Sequence, residues 1–186
     1  MKSLAVVAVV LLSLVPAPGA AIQVGIGLAG GESFPMAQSD TGRGGQYGLR
    51  LPVNLLPLLT VEPFLFSTDL GSVETTVGGR TYSRSGFDIL SYGAIAALGG
   101  TGMGPRYPLY PFVGVGGFHP SREGSARVER TGYILGVGYA RALPADLALN
   151  LRSDVNWMSV DGSARRFFEV SLGVSLRFHS GVEEGF

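Results

Sequence analysis

RFFEVSLGVSLRF, residues 166–178, alternates from end to end. One parity holds Phe168, Val170, Leu172, Val174, Leu176 and Phe178. The other holds Phe167, Glu169, Ser171, Gly173, Ser175 and Arg177. A period of two is that of a strand with two unlike faces. Here one face is wholly apolar with an aromatic at each end, and the other is small or charged. Ten residues of strand span roughly 33 Å. Tilted by about 40–45°, they rise about 24 Å, close to the lipid-facing band of a membrane barrel, which is about 25 Å tall between aromatic girdles.

The composition agrees with a membrane wall. Only 15% of the 186 residues are charged, and the net charge is zero. A soluble domain carries about 25% charge, and a nucleic-acid surface would be basic. The chain has one lysine, Lys2, and no cysteine. Disulfide scaffolds and thiolate metal sites are therefore excluded. The 29 glycines sit inside apolar runs rather than in linkers.

Residues 1–21 read as a cleavable signal peptide. Lys2 gives the charged start, 4–15 the apolar run, and 16–21 a small-residue cleavage region. An apolar run of about twelve residues is too short for a spanning helix, which needs about 20. No later run is long enough without Pro, Gly or charge. In lipid only helices and closed barrels satisfy every backbone group, so a membrane protein built from this chain is expected to be a barrel.

Alternation places a first strand at 22–28 and a second at 47–55. A third follows at 59–66, a fourth at 87–98 and a fifth at 107–118. The sixth is 133–140, the seventh 147–157 and the eighth 166–178. Eight is an even number, as bacterial single-chain barrels require. Connectors after odd strands, at 30–45, 67–86, 119–130 and 159–165, are the longer ones on the whole, the first three well above any after an even strand. Those after even strands, near 56–58, 99–106 and 143–146, are short. Pro52 and Pro63 fall inside expected strands, where a closed barrel has no free edge to absorb a missing donor.

The inward parity collects Arg50, Glu62, Asp88, Arg152, Asp154, Glu169 and Arg177, with Asn54, Asn150, Asn156, Ser171 and Ser175. Asp88 is assigned inward because a carboxylate facing lipid is costly. The lumen of an eight-stranded barrel is just wide enough for side chains to fill. Each charge there must find a partner, so the set is expected to form a salt-bridged plug, with inward glycines making room for the long Arg and Glu chains. Tyr47, Tyr133, Trp157 and Phe168 are expected outward near the long-loop end, and Tyr139 and Phe178 near the short-turn end.

These elements together resemble the OmpA-like transmembrane barrel superfamily. They are the signal peptide, eight strands, Pro111-Phe112-Val113-Gly114-Val115-Gly116, Gly136-Val137-Gly138-Tyr139 and a last strand closing on Phe178. The resemblance implies an eight-stranded antiparallel up-and-down barrel over residues 22–178, in the bacterial outer membrane, with a lumen closed by an interior network. Lipid, lipopolysaccharide and the barrel-assembly machinery are the expected partners of a monomer, and no cofactor and no enzymatic activity are expected. Residues 179–186 are expected as a short periplasmic tail, a departure from families that end on the closing aromatic.

Other motifs carry less. Gly25-Ile26-Gly27-Leu28-Ala29-Gly30 matches a dinucleotide fingerprint literally but lacks the following helix. His119-Pro120-Ser121, with Glu123 and Glu129, faintly resembles the His-x-Ser element of lipid A deacylases, but Arg122 replaces the Asn found there. Two distant histidines without cysteine do not make a metal site. The competing architecture is an exported soluble lipocalin-like carrier, with the apolar parity turned inward around a ligand.

Overall fold

The computed structural model describes residues 23–36, 41–56, 58–98, 108–121, 129–160 and 163–179. The expected signal peptide, the 99–106 turn and residues 180–186 of the tail lie outside them. The strands are β1 (Gln23–Met36), β2 (Gly44–Arg50), β3 (Val53–Leu56), β4 (Leu59–Leu70), β5 (Val73–Val77), β6 (Arg80–Arg84), β7 (Phe87–Leu98), β8 (Leu109–Ser121), β9 (Arg130–Ala142), β10 (Leu147–Val160) and β11 (Ser163–His179).

β2 and β3 lie side by side along one line of the wall, between β1 and β4, and act as one stave. From β4 the order runs through β7, β8, β9, β10 and β11 and back to β1. All neighbours are antiparallel, and the closing pair runs from Gln23 opposite His179 to Met36 opposite Arg166. The result is a closed barrel of eight staves, so no edge is left to pair elsewhere.

The stagger follows from the register. Partners lead from Gln23 through Asn54, Thr60, Ala97, Phe112, Gly136, Asp154 and Glu169 back to β1 at Ser33, ten residues on. Eight strands about 4.7 Å apart, staggered by about 33 Å, tilt by roughly 40°. That lies within the range of membrane barrels.

The two prolines meet. Arg50 lies opposite Phe64 and Val53 opposite Val61, so the β2/β3 break at Leu51-Pro52 faces Glu62 and Pro63. Leu51 still donates to the Pro63 carbonyl at 2.9 Å, and the Pro52 carbonyl accepts from Gly25 at 2.8 Å. One gap in the ladder absorbs both missing donors.

The long connectors are shorter than expected. β1 runs on to Met36 and β2 starts at Gly44, inside the expected 30–45 loop. β4 continues to Leu70, and 67–86 also contains the β5–β6 hairpin, a separate two-stranded sheet turning on Gly78 and Gly79. β8 and β9 both extend into 119–130. β10 and β11 stay paired up to Val160 opposite Ser163, so the expected 159–165 loop is mostly ladder. Beyond the lipid level both strand faces can be polar, so pairing continues where alternation of hydrophobicity stops. Phe168 consequently lies well inside β11 rather than at its end.

Candidate functional site

The alternation sorts the side chains as a membrane barrel requires. On the outer wall Leu172 is 53% exposed, Val174 44% and Leu135 51%. On the inner wall Arg152 is 2% exposed and Glu169 7%. An apolar-ligand carrier would need the reverse. Of the expected girdle, Tyr47, Tyr133, Tyr139 and Phe178 are exposed, and Trp157 and Phe168 are half-buried. Tyr133 lies opposite Trp157, and Phe168 packs on Phe34 with ring centroids 6.2 Å apart.

The lumen is built in two parts. The first lines β10, β11, β1 and β2, with Glu62 and Thr68 reaching in from β4, and is polar. Arg152 donates from Nη2 to both oxygens of Glu62, at 2.7 and 2.5 Å. Its Nε donates to the Tyr110 hydroxyl at 2.8 Å. Tyr110 donates to Asn150 at 3.4 Å, and Asn150 to Ser175 at 3.2 Å. Arg152 is thus the multidentate hub that a guanidinium suits.

The next inward positions on β10 and β11 hold Asp154 opposite Glu169. Ser33 and Thr68 donate to Glu169 Oε1 at 2.8 and 3.1 Å. Asn156 Nδ2 donates to Glu169 Oε2 at 3.0 Å and to Asp154 at 2.8 Å. The Gln46 amide, turned to donate, reaches both Glu169 oxygens at 3.0 and 3.2 Å. Glu169 is therefore held by neutral donors rather than by an arginine. Arg50 is buried, donates to Ser171 at 3.0 Å and lies over the Phe66 ring at 4.9 Å.

The second part lines β4, β7, β8 and β9 and is aromatic. Phe64, Phe66, Tyr110, Phe112 and Phe118 are buried there, with Ile89, Ile95 and Ile134. Inward glycines of β9 serve these rings. A Cβ at Gly138 would lie 2.3 Å from the Tyr110 ring, at Gly136 2.5 Å from Phe112, and at Gly132 2.4 Å from Phe118. At these three positions the room goes to rings, while Gly27 and Gly173 border the cavity lined by Arg50, Glu62 and Arg152. Arg152 joins the two parts, its guanidinium 5.0 Å from the Phe112 centroid, a cation–π distance.

One charged residue leaves the expected inward set. Asp88 is exposed, and its neighbour Ile89, 1% exposed, takes the inward position. Thr68 of β4 lies opposite Ile89, and this register fixes the parity. The carboxylate avoids lipid by lying next to the strand's first residue, Phe87, rather than by turning in. Arg177 is half-buried at the short-turn end, donating to the carbonyls of Asp146 at 3.3 Å and Leu147 at 3.4 Å. Asn54, also expected inward, is half-buried on β3, where its amide, turned to donate, reaches the carbonyls of Leu56 and Leu59 at 2.6 and 3.1 Å. Sequence reasoning missed Ser33, Gln46 and Thr68, because all three fell in stretches taken as loop or at their border.

Outside the lumen, His119 stacks on Tyr92 with centroids 5.5 Å apart, and Tyr92 donates to Glu129. Ser121 donates to the Asp88 carbonyl at 3.2 Å.

No protein-family model and no curated protein matches the sequence. Several solved structures are similar, two of them as follows. Neisserial surface protein A shares 17% identity over 84% of this chain and 97% of that one, with a TM-score of 0.52. A major outer membrane protein from Thermus thermophilus shares 14% identity over 86% of this chain and 100% of that one, with a TM-score of 0.53. At such identities the likeness is one of architecture. With its closed antiparallel wall, the chain has the fold of the eight-stranded outer-membrane β-barrels.

Proposed function

We propose that this chain is an integral, monomeric, non-enzymatic protein of the bacterial outer membrane, exported by residues 1–21 and inserted by the barrel-assembly machinery. Its role is structural or surface-directed. A rigid, plugged wall embedded in lipid and lipopolysaccharide carries the β5–β6 hairpin and the neighbouring connectors at the outer end. The observation that carries this reading is the sorting of the wall, with aliphatic side chains out and the Glu62–Arg152 pair and Glu169 in. Such a surface is stable only in hydrocarbon.

Fractionation tests it. The protein should resist carbonate extraction and run faster on gels before heating than after. Release by carbonate would overturn membrane integration. In planar bilayers the filled lumen should give no steady nanosiemens openings, and their appearance would overturn the plug. A lipid A-modifying enzyme is the other reading. Against it, the Ser121 hydroxyl is engaged with a backbone carbonyl and His119 with Tyr92, whereas nucleophilic catalysis needs the two paired. Unchanged lipid A in a His119→Ala strain would remove that reading.

A further inference from the structure

Arg50 is the second buried guanidinium of the lumen. It is 8% exposed, and among the described residues no carboxylate lies within ion-pair distance of it. Its Nη2 is taken by the neutral Ser171 hydroxyl, while its buried Nε has no hydrogen-bond partner. Arg152 has spent Nη2 and Nε on Glu62 and Tyr110, and its buried Nη1 is likewise unpartnered. Both arginines line the same cavity, together with Glu62, Asn150, Ser175 and Pro52. Its free volume is about 10 Å³, room for one water or one monatomic ion.

We propose that this cavity is a binding site for a monatomic anion, chloride in ordinary media, held between Arg50 and Arg152. Two guanidiniums border the cavity and one carboxylate, Glu62, which Arg152 already engages. Arg50 is therefore left without a carboxylate in contact. A buried charge in that condition is strongly disfavoured, and a guanidinium N–H prefers an anionic acceptor. Asp154 and Glu169 act on Arg50 only from a distance, without contact. They sit at the next inward positions and are held by Asn156, with Ser33 and Thr68 also on Glu169. Pro52 and the nearby glycines offer no side chain that could reach in. The free volume excludes carboxylates, phosphate and sulfate, so the selectivity is by size.

The test uses the full folded chain in detergent. Melting is measured in chloride and in gluconate, which is too large for the cavity, at equal pH and ionic strength. The midpoint should be several degrees higher in chloride, and the gain should level off as chloride rises, as a saturable site requires. It should vanish in Arg50→Met. Crystals of the unmodified chain soaked in bromide should show an anomalous peak between Arg50 Nε and Arg152 Nη1. Equal midpoints in the two anions would overturn the proposal, as would a bromide-soaked lumen with no peak at that position and a water in its place. If Arg50→Met does not fold, the bromide peak alone decides.

Discussion

The two sides of the lumen solve the same problem by opposite means. Along β10, β11, β1 and β2 the space is filled by charges and amides that bond one another, with one donor left over on each of Arg50 and Arg152. Along β4, β7, β8 and β9 it is filled by rings that need no partner but do need room, which glycines on adjacent staves provide. The first side depends on who bonds whom, and its residues cannot be replaced singly. The second depends on volume, and its residues can be replaced in pairs. Arg152 and Tyr110 sit on the seam, tied to each other at 2.8 Å.

The sharpest way to break this contrast is to remove Glu62. It is 1% exposed and holds Arg152 through two short bonds. Glu62→Ala leaves a buried guanidinium without its carboxylate, and the expected loss is about 3–5 kcal/mol in urea unfolding of the refolded protein. Glu62→Ala combined with Arg152→Met should recover much of it, because no charge is then stranded. A double variant as unstable as the single would mean that the pair is not what this side depends on.

The glycine side should respond to size alone. The three atoms nearest a Cβ at Gly138 all belong to the Tyr110 ring. Gly138→Ala should therefore cost about 2 kcal/mol by displacing that ring. In a Tyr110→Leu background the same substitution should cost less than half as much. Equal costs in both backgrounds would show that the glycine is there for the backbone and not for the ring. Tyr110→Phe probes the seam itself. The ring stays, but Arg152 Nε loses its acceptor, and a loss of about 1.5 kcal/mol is expected from one stranded buried donor.

The two sides were not equally legible in the sequence. Glu62, Arg152, Asp154 and Glu169 each interrupt an alternating apolar stave, so their direction can be read from one strand alone. The 87–98 stretch has Ile89 and Ile95 on one parity and Leu90 and Tyr92 on the other, so hydrophobicity does not choose between them. The choice is made by the neighbouring stave, where Thr68 faces Ile89 and Ser67 faces Leu90, and pairing of that kind is not written in either strand. The same holds for the glycines. Gly138 is explained only by Tyr110 on the next stave, 28 residues away in sequence and directly opposite in register. The upper parts of β1, β4 and β8 were missed because above the lipid a strand need not alternate, and Ser33 and Thr68 lie there.

That upper level gives the smallest effect and the finest test of the comparison. Glu169 accepts from Ser33, Thr68 and Asn156, and Gln46 is turned toward it. With several neutral donors on one carboxylate, no single one should be decisive. Thr68→Val keeps the volume and removes one bond, so a loss of about 1 kcal/mol is expected, the ordinary net worth of a hydrogen bond. Thr68→Val together with Ser33→Ala strips Oε1 of both hydroxyls and leaves it only the Gln46 amide at 3.2 Å, so the pair should cost more than the sum of the two. Strict additivity would mean that the donors act independently, and the polar side would then be tolerant in the same way as the aromatic one.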